Sequence, residues 1–212
     1  TATGLQPVKL TDGMREIAFS PAGDQIAFFY LSVSGEKSII LADKDGGGWK
    51  RIVTEGLSGL SNPRLLFSPD AKRLLLYGDT DLNKNRFLVN LIQGTIVQFT
   101  AGGEEAEFLW SPDGAILAER KGRWLRLWKA EDGTLLREID LGEEQFAWNW
   151  KSENELVVLS ESGLSLIDLT GRSTPIPFIA EGTPPLPDFL FYARTVRLLL
   201  LVYSDRVLSL KL

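Results

Sequence analysis

An all-β fold, a five-bladed β-propeller whose N-terminal strand completes the last blade, is predicted by three features of the 212-residue sequence. The first is a repeat. Trp110-Ser111-Pro112-Asp113-Gly114 recurs as Phe19-Ser20-Pro21-Ala22-Gly23, as Phe67-Ser68-Pro69-Asp70-Ala71, as Trp150-Lys151-Ser152-Glu153-Asn154 and, most degenerate, as Phe191-Tyr192-Ala193-Arg194-Thr195. Their leading aromatics stand 48, 43, 40 and 41 residues apart, the length of a four-stranded propeller blade. The second feature is a set of short apolar runs just after these corners: Ile26 to Leu31, Leu74 to Tyr77, Leu156 to Leu159 and, most strongly, Leu198 to Val202. Their apolar residues are continuous rather than alternating, as in a strand covered on both faces by neighbouring blades. The third is turn chemistry at hairpin spacing, carried by Ser34-Gly35, Gln93-Gly94, Asp132-Gly133 and Thr170-Gly171.

The elements follow in order. The first unit, about 14–54, holds strands at Glu16 to Phe19, Gln25 to Ser32, Ser38 to Ala42 and Lys50 to Thr54. The second, about 62–99, adds Arg86 to Leu91 and Thr95 to Phe99 after its apolar run. In the third, about 106–139, the strands are Ile116 to Glu119, Trp124 to Lys129 and Leu135 to Ile139; in the fourth, about 146–179, they are Glu155 to Ser160, Gly163 to Asp168 and Ile176 to Ile179. The fifth, 188–212, has Val196 to Ser204 and Arg206 to Leu212 but no fourth strand. Residues 5–10 (Leu-Gln-Pro-Val-Lys-Leu) are expected to supply it, leaving no blade edge open. The whole chain reads as one domain.

Composition narrows the function. A net charge of −5 argues against a nucleic-acid surface, which needs clustered cations to displace phosphate counterions. Without cysteine or histidine there is no disulfide, thiolate metal site or Ser-His-Asp triad. No cofactor is predicted. No apolar run approaches the roughly 18–20 residues of a membrane span, so no membrane insertion by this segment is expected.

Several motifs invite chemistry and are better explained as turns. In the Ser-Pro-Asp-Gly corners, proline presets φ, aspartate caps its own backbone and glycine accepts positive φ. Asp43-Lys44-Asp45-Gly46 and the segment carrying Asp79, Asp81 and Asn83 space oxygens as calcium loops do, but the second lacks the sharp-turn glycine and the closing glutamate. Those three are weak metal candidates. Trp124-Leu125-Arg126-Leu127-Trp128 is a strand in this register, with both tryptophans and Arg126 on one face.

One pattern points to binding. The links from the last strand of each blade to the first of the next each carry an acid beside a glycine: Asp12, Glu55, Glu104, Glu143 and Glu181, joined by Glu105 and Glu144. Hairpins on the same side bring Lys37, Lys84, Arg86, Arg120, Lys121 and Arg123 farther from the axis. An acidic inner ring with a basic rim is therefore expected, suited to a protein partner with a basic segment.

The aromatic-Ser-Pro-Asp-Gly corner, the apolar strand, the hairpin and a strand ending in Asp-x-Asp-Gly-Gly resemble the WD40-like repeat of the TolB propeller family. Phe19 to Arg51 and Trp110 to Gly133 carry the likeness best. The resemblance implies a propeller that works through protein contacts, and its best-known member is periplasmic. The chain is thus expected to be a non-catalytic protein-binding or scaffold module, the extracytoplasmic part of a larger protein. The alternative is a carbohydrate-binding or glycoside-hydrolysing propeller, which would need two carboxylates about 5–9 Å apart in a central pocket.

Overall fold

The computed structural model describes residues 13–53, 56, 57, 59–79, 86–99, 106–143, 145–177, 187 and 189–212. Every regular element among them is a strand. Four sheets have four antiparallel strands and one has three. Each runs in sequence order from one edge to the other, because every connection inside a sheet is a hairpin. Residues 5–10 lie outside the described residues.

The chain forms two compact units. In the first, β1 (Met14–Phe19), β2 (Gln25–Leu31), β3 (Lys37–Asp43) and β4 (Lys50–Val53) make one sheet. β5 (Ser61–Phe67), β6 (Arg73–Asp79), β7 (Arg86–Asn90) and β8 (Thr95–Phe99) make the next. Ala27, Phe29 and Ile39 of the one sheet pack with Leu74, Leu76, Phe87 and Val89 of the other. Leu57 and Leu60, from the connection between the sheets, join the same core.

In the second unit, β9 (Glu107–Trp110), β10 (Ile116–Lys121), β11 (Trp124–Lys129) and β12 (Leu135–Asp140) precede a sheet of β13 (Gln145–Trp150), β14 (Glu155–Ser160), β15 (Gly163–Asp168) and β16 (Ser173–Pro175). The last sheet is β17 (Phe189–Ala193), β18 (Leu198–Val202) and β19 (Val207–Lys211). Ala118, Leu125 and Leu127 meet Trp148, Trp150, Leu156 and Val158. The opposite face of that middle sheet meets Leu190, Tyr192, Leu199 and Leu201. Strand β14 therefore serves two cores with one unbroken apolar run, as the sequence pattern requires.

The repeat length reappears as a hydrogen-bonding period. Trp148 Nε1 donates to Glu107 Oε2 at 2.7 Å, Trp150 Nε1 to the Leu109 carbonyl at 3.3 Å, and Asn149 Nδ2 to the Leu190 carbonyl at 3.4 Å, each across 41 residues. In this second unit one repeat in sequence is one sheet in space, and the first strands β9, β13 and β17 are tied together by these side chains.

Two boundaries differ from expectation. The fourth strand of the β13–β16 sheet is Ser173–Pro175, so that Ile176 and Pro177 fall beyond its end where a strand from Ile176 was expected; Phe178 and Ile179 lie outside the described residues. The Asp168 carboxylate accepts from the N–H groups of Thr170 and Arg172, at 2.8 and 3.0 Å, closing the turn so tightly that Ser173 already pairs with Ile167. In the last sheet, Val196 lies in a turn 59 % exposed and β18 begins at Leu198. Strand β18 is also not buried on both faces: Leu199 and Leu201 are buried, whereas Leu198, Leu200 and Val202 are only half-buried.

Candidate binding face

The corner motif builds the turns that deliver each sheet's second strand. At Ser111 the hydroxyl donates to Asp113 Oδ1 at 2.6 Å and accepts from the Ile116 N–H at 2.9 Å. Asp113 Oδ1 also accepts from the Ala115 N–H at 3.0 Å, and Gly114 takes φ of 71°. Ser68 and Asp70 repeat this arrangement, with Ala71 forced to φ of 57° where the motif prefers glycine. In the first copy Ala22 replaces the aspartate, and Asp24 takes over as the acceptor for Ser20 Oγ at 2.7 Å. All three serines are buried. The corners are scaffold, and their polar groups are consumed within the turn.

Several carboxylates are acidified by this local bonding. Burial raises the pKa of Asp70 and of Asp113, but the Ser68 and Ser111 hydroxyls and the backbone N–H groups outweigh it, so both fall below the usual value. Glu107 behaves likewise: burial raises its pKa, whereas the Arg120 guanidinium at 2.8 Å and the Trp148 indole lower it further. For Glu143 and Asp168 hydrogen bonds dominate, from the Ser160 and Ser162 hydroxyls and from Thr170 and Arg172 respectively. A carboxylate with a depressed folded pKa stabilises the fold above its unfolded value, near 3.8 for aspartate and 4.5 for glutamate, and loses that contribution as pH falls through the folded value. Melting temperature is therefore expected to hold down to about pH 4–5 and then fall. Thermal scans across that range check this, and S68A and S111A, which remove the hydroxyl donors, should flatten the acid limb.

Of the predicted acidic ring, Glu143 is described. It sits in the link between β12 and β13, its Oε1 accepting from Ser160 Oγ at 2.5 Å and from Ser162 Oγ. Asp12, Glu55, Glu104, Glu181, Glu105 and Glu144 lie outside the described residues, as do Lys84, Asp81 and Asn83. Asp79 closes strand β6.

Of the predicted rim, Arg123 is exposed at the β10–β11 hairpin, 2.8 Å from Asp140, with its guanidinium over the Trp124 ring at 5.3 Å. Arg120 is tied to Glu107, and Lys37 Nζ donates to the Leu60 carbonyl at 2.7 Å. Arg86 is a correction. It is only 2 % exposed, because it is not in the hairpin but in the ladder, paired with Tyr77 and Phe99 and on the same strand face as Leu88. It belongs to the interior and not to a charged rim.

The Asp43 to Gly48 segment is a polar hairpin: Gly46 N–H donates to the Asp43 carbonyl at 2.8 Å and Gly47 N–H to Asp45 Oδ1 at 3.1 Å. Among the described residues no three acids converge as metal ligands would. Two features went unread in the sequence. Glu107 needed the neighbouring sheet to become visible as a partner of Trp148. The other is the exposure of two aromatics on β17, Phe189 and Phe191, at 70 % and 54 %.

Neither a protein-family model nor a curated protein sequence matches the chain. Solved structures do. TolB from Acinetobacter baumannii is 20 % identical with a TM-score of 0.55, over 93 % of this chain and 51 % of that one. A eukaryotic initiation factor is 15 % identical with a TM-score of 0.60, over 95 % of this chain and 52 % of the other. A functionally unknown protein from Desulfotomaculum acetoxidans DSM 771 is 13 % identical with a TM-score of 0.62, over 92 % and 64 %. The chain thus spans about half the length of the first two. At these identities the likeness is one of fold alone: the antiparallel sheets, each in sequence order, have the β-propeller fold that TolB also has.

Proposed function

We propose that the chain is a protein-binding or scaffold propeller module with no catalytic role of its own, serving as an extracytoplasmic part of a larger protein. The observation that carries this reading is the fold likeness to TolB across nearly the whole chain. The count of five blades, one for each sheet, belongs to the same proposal. The partner surface is the set of acidic links, Asp12, Glu55, Glu104, Glu143 and Glu181, with Arg123 at the margin; Arg86 is left out because it is buried. On a chain of net charge −5 such a cluster favours a basic segment of the partner.

Affinity capture with the intact chain tests this, alongside the triple variant E55K/E104K/E143K. The expected result is a captured protein whose retention weakens with added salt, since exposed charges are screened, and disappears with the triple variant. Equal retention by both proteins would defeat the acidic-face assignment.

A further inference from the structure

The hairpin between β17 and β18 departs from the other corners in charge and in backbone. Where the earlier corners carry an acid, Asp24, Asp70, Asp113 or Glu153, this one reads Ala193-Arg194-Thr195-Val196-Arg197 and carries two arginines. Lys211 joins them, because the pairing of Leu198 with Lys211 and the Leu212 N–H on the Arg197 carbonyl, at 3.0 Å, bring the end of β19 to the same end of the sheet. Arg194, Thr195, Val196, Arg197 and Lys211 are all exposed.

The fold does not use these charges. Arg51, Arg64, Arg73, Arg120, Arg123 and Arg126 each face a carboxylate at 2.6 to 3.9 Å. Among the described residues Arg194, Arg197 and Lys211 form no ion pair, and the side-chain acid of their sheet, Asp205, lies in the opposite hairpin against Arg206. The turn is held by backbone alone, Val196 N–H donating to the Ala193 carbonyl at 3.2 Å and Arg197 N–H to the Arg194 carbonyl at 3.3 Å. Arg197 moreover takes φ of 53°, a left-handed conformation that Gly23 and Gly114 take in their corners and that suits glycine better than arginine. A guanidinium kept at a strained position, without a partner inside the sheet, points to a use outside it.

We propose that this turn, together with Lys211, is where the chain rests on an anionic lipid surface, as a peripheral contact that does not span the bilayer. The shape selects the partner. Four consecutive exposed residues form an open tip, with Val196 59 % exposed between the two arginines. Such a tip has no walls to enclose a small anion or to cradle a peptide. A plane of lipid phosphates accepts both guanidiniums at once, through bidentate hydrogen bonds, and receives the valine at headgroup depth. The chain's net charge of −5 does not prevent this, since acids farther than about 8 Å from the surface are screened at physiological salt. It orients the contact instead, turning the acidic remainder away from the lipid.

Co-sedimentation of the full chain with vesicles of phosphatidylcholine and phosphatidylserine, against vesicles of phosphatidylcholine alone, tests this. Each cation at an anionic surface favours binding about five-fold. Wild type should therefore bind the anionic vesicles at low salt and leave them as salt rises, while R194A/R197A binds about thirty-fold more weakly with an unchanged melting temperature. R197G separates the charge from the turn: it should bind about five-fold more weakly yet melt no lower than wild type, because glycine relieves the left-handed residue. Absent binding to the anionic vesicles at low salt, equal binding to both vesicle types, undiminished binding by R194A/R197A, or an R197G protein that melts below wild type would each overturn the proposal. So would binding of wild type to a soluble polyglutamate peptide and to neither vesicle, which would assign the tip to an acidic protein segment.

Discussion

Trp150→Ala is expected to destabilise the chain by about 3–5 kcal/mol, the range for truncating a buried large aromatic. Trp150 is 3 % exposed and lies in the core between the β9–β12 and β13–β16 sheets, packed with Leu125, Leu127 and Leu156. Its removal opens a cavity that rigid sheets cannot close, and it leaves the Leu109 carbonyl without its indole donor. Against a typical stability of about 5–15 kcal/mol, that loss brings much of the population close to unfolding. Trp150→Phe is the intermediate case: it keeps a six-membered aromatic ring but loses the fused five-membered ring with its N–H, so a loss of about 1–3 kcal/mol, smaller than for alanine, is expected. Urea denaturation of the three proteins, read by far-ultraviolet dichroism, checks both values. A Trp150→Ala midpoint within experimental spread of wild type would show that this core is not continuous.

Gly78→Ala is expected to cost about 1–3 kcal/mol, the price of overpacking, although alanine ordinarily suits a strand better than glycine does. A Cβ at residue 78 would stand 2.5 Å from the Ser61 carbonyl oxygen, 3.0 Å from Leu60 Cδ1 and 3.1 Å from the Asn62 carbonyl oxygen. Two of those three atoms are backbone and cannot swing aside. The crowding arises where the register between β5 and β6 shifts between Ser61 and Arg64, bringing the irregular strand over its partner. The glycine is needed for close approach and not for a left-handed φ. Gly23→Ala is the informative contrast, because nothing lies within 4 Å of its added Cβ and any cost there comes from φ of 70°. Thermal melts of the two variants distinguish the causes.

The strands and corners were legible because their signals are local. Ser68, Asp70, Ser111 and Asp113 bond within five residues of themselves, so sequence alone contains the whole interaction. The apolar runs in β6 and β14 carried their burial openly. What sequence could not supply was anything set by a neighbour. Arg86 looked like a rim residue from its place after a polar stretch, yet the ladder on both sides of it settles its burial. Apolar residues from Ile176 onward point to a later last strand in the β13–β16 sheet than the one at Ser173–Pro175. The Asp168 side chain instead closed the turn early, and polar Ser173 and Thr174 did the pairing. In β18 the composition is apolar throughout, yet Leu199 and Leu201 are buried while Leu198, Leu200 and Val202 are half-buried, a difference between faces that an unbroken apolar run does not reveal.

The bonds inside each corner have a kinetic consequence. Since Ser111 reaches only as far as Ile116, and Ser68 only as far as Arg73, each bend can form before any distant part of the polypeptide arrives, and the loop entropy of closing it is small. Hairpins so nucleated can assemble from the N-terminus as the ribosome extends the chain. Sheet-on-sheet stacking, which waits for residues some forty positions later, is then the slow step that sets the folding rate.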